Sequence, residues 1–296
     1  MSLSDLGLED WVEEELTLLI DGDLIVYSGC CIFNADDSDT QKRLITKHIK
    51  KKVSDYCEAA GATSYIMFVT PKVNFRDFIV DDYKANRIGV ERPVNLAWAK
   101  RWAVDNLNTH FEMGMEADDL LAMHQTNDTI IWSEDKDLRQ VPGKHLDHNS
   151  QKVIEITPYG VLEDRGKKVY FTGAIGFLYQ LLVGDGADYI VGCGHRATAV
   201  WKTGAKAGQE YIRRKGVGHK QACKALIGLE LDAAQAVVED FYELEFGDEW
   251  RERMEEQANL LFMVRYKQGD WIKRWTLDAR DEYMNCLTGE ICATID

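Results

Sequence analysis

Eight carboxylates constrain this chain most, because they fall in four short clusters, each where an apolar run should end a strand or open a helix. Asp21 closes LTLLID. Glu116, Asp118 and Asp119 open EADDLLAM. Asp135 and Asp137 follow TIIWS, and Asp185 and Asp188 sit in LLVGDGADYI. Like charges repel, so carboxylates gathered by a fold require a cation. Hard oxygen ligands in this number suit two Mg²⁺ or Mn²⁺ ions. Two such ions about 3.5–4 Å apart are a device for in-line cleavage of a phosphodiester. Singly, each cluster has an ordinary explanation: N-terminal helix acids at 116–119, a solvated loop around Lys136, a plain turn at GDGAD.

The apolar runs around these acids predict an α/β fold. LTLLIDGDLIVY (16–27) reads as a buried strand running into a turn, SYIMFVT (64–70) as a second strand and TIIWS (129–133) as a third. KVIEIT (152–157) reads as an edge strand. Apolar residues recur at helical spacing over 40–60, and FTGAIGFLYQLLVG (171–184) reads as a helix ended by glycine. Alternating strands and helices imply a mainly parallel central sheet flanked by helices, with sites beyond the carboxyl ends of its strands. A composition shift near 184 is the expected boundary between an α/β core (1–183) and a C-terminal helical region (184–296).

The net charge of −15 is unusual for a chain that meets nucleic acid, but its distribution is uneven. Lys202, Lys206, Arg213, Arg214, Lys215, Lys220 and Lys224 face the single acid Glu210, and an acidic helical stretch follows over 230–256. Seven cysteines without a CxxC argue against a zinc site and a disulfide framework. No run is long and apolar enough to span a membrane, and the acidic N-terminus lacks a signal pattern, so a cytoplasmic protein is expected. Trp250, Trp271 and Trp275 read as core.

Two further elements point to phosphate. FRDFIVDDYKANR (75–87) sets Arg76, Lys84 and Arg87 beside Phe75, Phe78 and Tyr83, suiting a phosphate with a stacked base. Gly192-Cys193-Gly194 and Gly216-Val217-Gly218-His219-Lys220 are GxG hairpins whose amides can approach phosphates closely.

Together DGD, FR, YKANR, EADD, SEDKDL and GDGADYI resemble the 5′→3′ exonuclease and flap endonuclease family, over roughly residues 17 to 225. The chain looks closest to the phage replication branch, the gene 6 type of T-odd coliphages; VWKTGAKAGQE (200–210) adds to that likeness. The resemblance implies a helical arch (about 74–110) over the site and a helix–hairpin–helix that grips duplex backbone. It implies that Asp21, Glu116, Asp118, Asp119, Asp135, Asp137, Asp185 and Asp188 hold two Mg²⁺ or Mn²⁺ ions, directly or through water. Lys84 and Arg87 are expected at the scissile phosphate, with Tyr83 stacked on a base. Arg76, Gly192, Gly194, Lys206, Gly216, Gly218 and Lys220 are expected on DNA, with K⁺ an option at the hairpin. The implied substrates are DNA with 5′ ends, nicks or flaps and, as an option, RNA–DNA hybrid. A single-stranded-DNA-binding protein or a polymerase is the implied protein partner, in phage replication or recombination.

The chain departs from the family pattern in three places. An aspartate usual after the second strand is replaced by Thr70-Pro71. Asp188 is followed by Tyr189 where asparagine is usual. The GxGxK hairpin arrives after an insertion of about two dozen residues. Two alternatives stay open. A haloacid-dehalogenase-type phosphatase would use Asp21, Asp23, Asp185 and Asp188. A non-catalytic DNA-structure binder would need no metal.

Overall fold

The computed structural model describes residues 15–268, 271–272 and 275–279. The N-terminal segment, Cys286, Cys292 and the Trp271 side chain lie outside that description. The chain runs β1 (Thr17–Asp21), α1 (Gly22–Ile32), α2 (Asp39–Ala60), β2 (Ser64–Phe68), α3 (Leu96–Asn106), β3 (Thr109–His110), α4 (Ala117–Met123) and β4 (Thr129–Trp132). It continues through β5 (Gly143–Asp147), β6 (Lys152–Ile156), β7 (Leu162–Asp164), β8 (Val169–Phe171) and α5 (Gly173–Val183). Then follow β9 (Gly194–Val200), β10 (Glu210–Gly216), α6 (His219–Leu226), α7 (Leu231–Phe246), α8 (Trp250–Leu261), β11 (Lys267–Gln268) and β12 (Trp271–Ile272).

Six strands form one sheet in the order β3-β2-β1-β4-β5-β6, parallel except for the edge strand β6, which pairs antiparallel with β5. The predicted α/β architecture is therefore present. Leu18, Leu19 and Ile20 of β1 are fully buried, as a strand covered on both faces requires. One face carries α1, α2 and α3 over Ile45, Ile49, Val53 and Trp132; the other carries α4 over Phe68, Leu120 and Ile131. Each such side chain contributes about 1.5–3 kcal/mol by leaving water.

Two local predictions need correction. No turn follows β1: DLIVYSGCC is helical, because Asp21 caps α1 by accepting from the Leu24 amide. Gly22 permits this abrupt strand-to-helix junction, since a Cβ there would lie 2.6 Å from both Met67 Cγ and the Phe68 carbonyl oxygen. Nor is 74–110 a helical arch. It holds two short 3₁₀ turns, Phe75–Phe78 and Ala85–Arg87, an exposed stretch through Gly89 and Pro93, and then α3, which buries Ala99 and Ala103 in the sheet's core. About a dozen residues between Tyr83 and Leu96, one a positive-φ glycine and one a proline, are too few for a pair of spanning helices.

The expected boundary near 184 falls within a shared core. The fully buried α5 packs against α6, α7 and α8 through Phe177, Leu181, Leu226, Val238, Tyr242, Met254 and Leu261. Trp275 is buried there and Trp250 packs at its edge. No helix among the described residues is long and apolar enough to cross a membrane.

Candidate metal-dependent active site

The acids meet along the carboxyl edge of the sheet. Asp21 ends β1; its Oδ2 accepts from the Ser133 hydroxyl at 2.8 Å, just beyond β4. Burial, then the neighbouring Asp23 and Asp135 carboxylates, push its pKa up to about 7. Asp118, in the first turn of α4, is raised well above the usual carboxylate range by burial and then by Asp21, Asp135 and Glu116. Asp137 is pushed up to about 8 by burial and then by Asp135. Burial also raises Asp188, with Glu116 and Asp185 adding repulsion. So Asp21, Glu116, Asp118, Asp135, Asp137, Asp185 and Asp188 form one field of mutually repelling carboxylates.

Lysines occupy parts of this field. Lys84 Nζ lies 2.5 Å from Glu116 Oε1 and 3.5 Å from Asp188 Oδ2. Lys136 Nζ bridges Asp137 Oδ1 at 2.7 Å and Asp185 Oδ2 at 3.1 Å. Burial works against ionised Glu116 and Asp185, but these amines, with Arg76 beside Glu116, hold both carboxyls below their ordinary value. Arg87 pairs with Asp188 at the rim. The 3₁₀ turn carrying both family-motif cations is fastened to the acidic loop: the Lys84 amide donates to the Asp188 carbonyl, and Asn86 Nδ2 donates to the carbonyls of Gly186 and Ala187.

Among the described residues, no three of these acids already converge on one point as a finished metal cage. The donor set nevertheless suits hard divalent ions. Asp21 and Asp118 pair with no cation and are charged only at a cost in free energy, while Glu116, Asp137, Asp185 and Asp188 have lysine ammonium as the substitute.

Three expected site residues sit elsewhere in the chemistry. Asp119 is fully buried, and both its oxygens are used by Arg76 Nη1 at 2.6 Å, Arg76 Nη2 at 2.8 Å, the Val264 amide and the Glu116 amide. A carboxylate so occupied is an anchor and not an ion ligand. Arg76 itself is 1% exposed and spends its remaining donors on Glu116 and the Leu260 and Phe262 carbonyls, so it does not face DNA. Tyr83 is buried with its hydroxyl donating to Glu116 Oε2 at 2.9 Å, which leaves no ring face for a base in this state.

The position of the missing aspartate is filled differently. Thr70 Oγ1 accepts from the Ala117 amide, fixing the start of α4 to the end of β2. The Thr70 amide donates to Asp23 Oδ2, and Lys100 pairs with Asp23 Oδ1 at 2.6 Å while donating to the Thr70 carbonyl. Lys100, Lys136, Ser133 and Gln180, which donates to Asp137, were not legible as site residues. Lys136 had a signal, standing between two acids; Lys100 lies 30 residues beyond Thr70 with none.

The glycine hairpins meet as well. Gly192-Cys193-Gly194 leaves α5 and Gly216-Val217-Gly218 enters α6, and the Val217 amide donates to the Cys193 carbonyl. The two GxG segments are therefore the two halves of one helix–hairpin–helix, opened by an inserted β9–β10 ribbon. Gly192 and Gly194 are packing glycines: a Cβ would meet the Gly184 amide at 2.4 Å and the Lys215 carbonyl oxygen at 2.4 Å. Gly216 likewise crosses the Cys193 carbonyl. Gly218, His219 and Lys220 are exposed at the start of α6, and Lys206 lies in the ribbon's tip.

No protein-family model and no curated protein matches the chain. Among solved structures, a T5 5′-exonuclease with divalent metal ions (zinc) bound superposes with a TM-score of 0.50, at 12% identity, over 93% of this chain and 99% of that one. The chain has the fold of T5 5′-exonuclease. Other matches are a mutant of T5 5′-exonuclease (TM-score 0.46, 11% identity, 93% and 99% covered) and a bacteriophage T5 flap endonuclease complex with DNA and metal ions (0.48, 12%, 83% and 98%). At this identity the likeness to T5 5′-exonuclease speaks for the backbone, and the side-chain chemistry stands on the geometry above.

Proposed function

We propose that this protein is a divalent-metal-dependent nuclease that hydrolyses DNA from 5′ ends and at 5′ flaps, with RNA of an RNA–DNA hybrid as a further substrate. The observation that carries the reading is the field of carboxylates at the sheet's carboxyl edge, with Lys84 and Arg87 fastened to its rim. The T5 5′-exonuclease fold, seen with divalent metal ions in that protein, supports it.

Asp21, Glu116, Asp118 and Asp135 would hold one ion, and Asp137, Asp185 and Asp188 the other, with Mg²⁺ or Mn²⁺ preferred by the all-oxygen donors. Asp23, tied to the end of β2, takes the place of the missing aspartate. When bound, the ions supply Lewis acidity toward the phosphate and the attacking water. Lys84 and Arg87, released from Glu116 and Asp188, orient the scissile phosphate and offset the charge that builds on it. The exposed amides at Gly218 and His219, with Lys220, are placed to hold a phosphate of the uncut duplex, with K⁺ as an accessory. Residues 1–183, with Asp185 and Asp188 just beyond them, supply the chemistry, and the remainder of 184–296 the duplex grip. A role in phage replication or recombination, beside a polymerase or a single-stranded-DNA-binding protein, fits these substrates.

The test is incubation of 5′-labelled duplex and 5′-flap DNA with and without Mg²⁺. Metal-dependent release of mononucleotides or short fragments, abolished in Asp135→Asn, is the expected result; equal cutting by Asp135→Asn would sink the assignment. One observation favours a second reading. Thr70 stands where an aspartate is usual and Lys100 brings positive charge beside it, so a protein that binds DNA without cutting in Mg²⁺ or Mn²⁺ would be a non-catalytic relative. The phosphatase alternative gives Glu116, Asp118, Asp135 and Lys84 no role.

A further inference from the structure

The ribbon inserted into the hairpin is built unlike the rest of the molecule. β9 and β10 pair antiparallel from Gly194↔Gly216 to Val200↔Glu210, and apart from Gly194 neither strand buries a residue. A two-stranded ribbon alone is marginal in water, and here its root is clamped. Arg214 donates to the carbonyls of Leu182, Val191, Cys193 and Val217. Arg196 pairs with Asp82, donates to the Tyr189 carbonyl and lies over the Tyr189 ring. Both arginines sit on one face of the ribbon, opposite each other in register.

The other face is different. It carries His195, Ala197, Ala199 and Trp201 on one strand and Tyr211, Arg213 and Lys215 on the other. Two small alanines leave a flat floor. Trp201 and Tyr211 stack at 4.5 Å and 27° at its outer end, and Trp201 is 42% exposed. Lys202 and Lys206 extend from the tip. Among the described residues no acid pairs with Lys202, Lys206, Arg213 or Lys215, although the chain as a whole carries a net charge of −15; at the root of the face Glu245 lies 3.0 Å from His195. Lys215 on this face precedes the exposed Gly218, His219 and Lys220 at the start of α6 by three residues.

We propose that this face of the β9–β10 ribbon is a second duplex-DNA contact, lying along the sugar–phosphate backbone beyond the hairpin, with its lysines and arginine on phosphates and Trp201–Tyr211 against the sugars. The inference rests on the nuclease reading for its substrate and adds an arm that fixes how much uncut duplex the protein requires. Seven-residue strands at about 3.4 Å per residue reach about 24 Å, or about seven base pairs.

The experiment compares the full-length protein with a variant carrying Lys202→Ala, Lys206→Ala, Arg213→Ala and Lys215→Ala, and with Trp201→Ala, after checking that each melts like wild type. The substrates are 5′-flap DNAs with about 8 or about 20 base pairs of duplex, with binding and cleavage both measured against salt. Wild type should bind the longer duplex at least 10-fold more tightly. The quadruple variant should lose that gain and lower the salt slope on the long duplex by about 3–4, at about 0.9 per phosphate, with a much smaller loss of binding and cleavage on the short duplex. Trp201→Ala should lose part of the gain at unchanged salt slope. Equal behaviour of variant and wild type on the long duplex, or equal losses on both lengths, would overturn the proposal. If wild type cuts nothing yet shows length-dependent binding that the variant lacks, the nuclease reading falls and the ribbon contact stands.

Discussion

Lys84→Ala separates two roles of one amine. In the structure Lys84 is a counter-ion of Glu116 and Asp188; in the proposed reaction it acts on phosphate. Its removal should lower kcat by about 10²–10³ with a small change in KM, because the contact is made to charge that grows in the transition state. Loss of DNA binding with an unchanged kcat would contradict that placement. Arg76→Ala tests the opposite claim, that this motif arginine serves the fold. Stripping the partner from buried Asp119 and Glu116 should cost about 3–5 kcal/mol in denaturant unfolding. His145 gives a pH prediction. It is buried, donates to the Val141 carbonyl, and burial depresses its pKa to about 4. Below about pH 6.5 the unfolded chain takes up a proton that the native ring refuses. Stability from His145 therefore falls as pH drops from about 6.5 toward 4, by up to about 3 kcal/mol. Against wild type, His145→Gln should flatten that part of the stability–pH curve.

At the scale of elements, the strand-to-helix junction at Gly22 is the tightest joint in the site. Gly22→Ala should destabilise the protein by more than about 1 kcal/mol and displace Asp21, so both thermal melting and metal affinity should fall. The sequence made β1, β2, β4, β6, α2 and α5 legible because each is a continuous apolar or helically spaced run. It hid α1, since an apolar run after a strand reads equally as more strand or turn until the cap at Asp21 is seen. It hid the single hairpin, because two GxG motifs separated by an insertion give no sign that they lie side by side. The acids were readable as a set; which of them Arg76 claims was not, because burial and pairing across 43 residues leave no local trace.

For the whole molecule, the carboxylate field is a store of unfavourable charge. Mg²⁺ or Mn²⁺ at millimolar concentration should therefore raise Tm, by mass action on the native state. The rise should shrink in Asp118→Asn, where one repelling carboxylate has gone. A Tm indifferent to both ions would argue that the amines satisfy the field by themselves.

The two lysines make loading an exchange and not an addition. Lys84 lies 2.5–3.5 Å from oxygens of Glu116 and Asp188, and Lys136 lies 2.7–3.1 Å from oxygens of Asp137 and Asp185, so these carboxylates would have to exchange an ammonium group for an ion. Each displaced lysine would become a flexible cation at the mouth of the site. The same exchange would offset the field that repels DNA and free the groups that receive it. Assembly would then run ion first and nucleic acid second, with Lys84 and Lys136 holding the carboxylates closed until then.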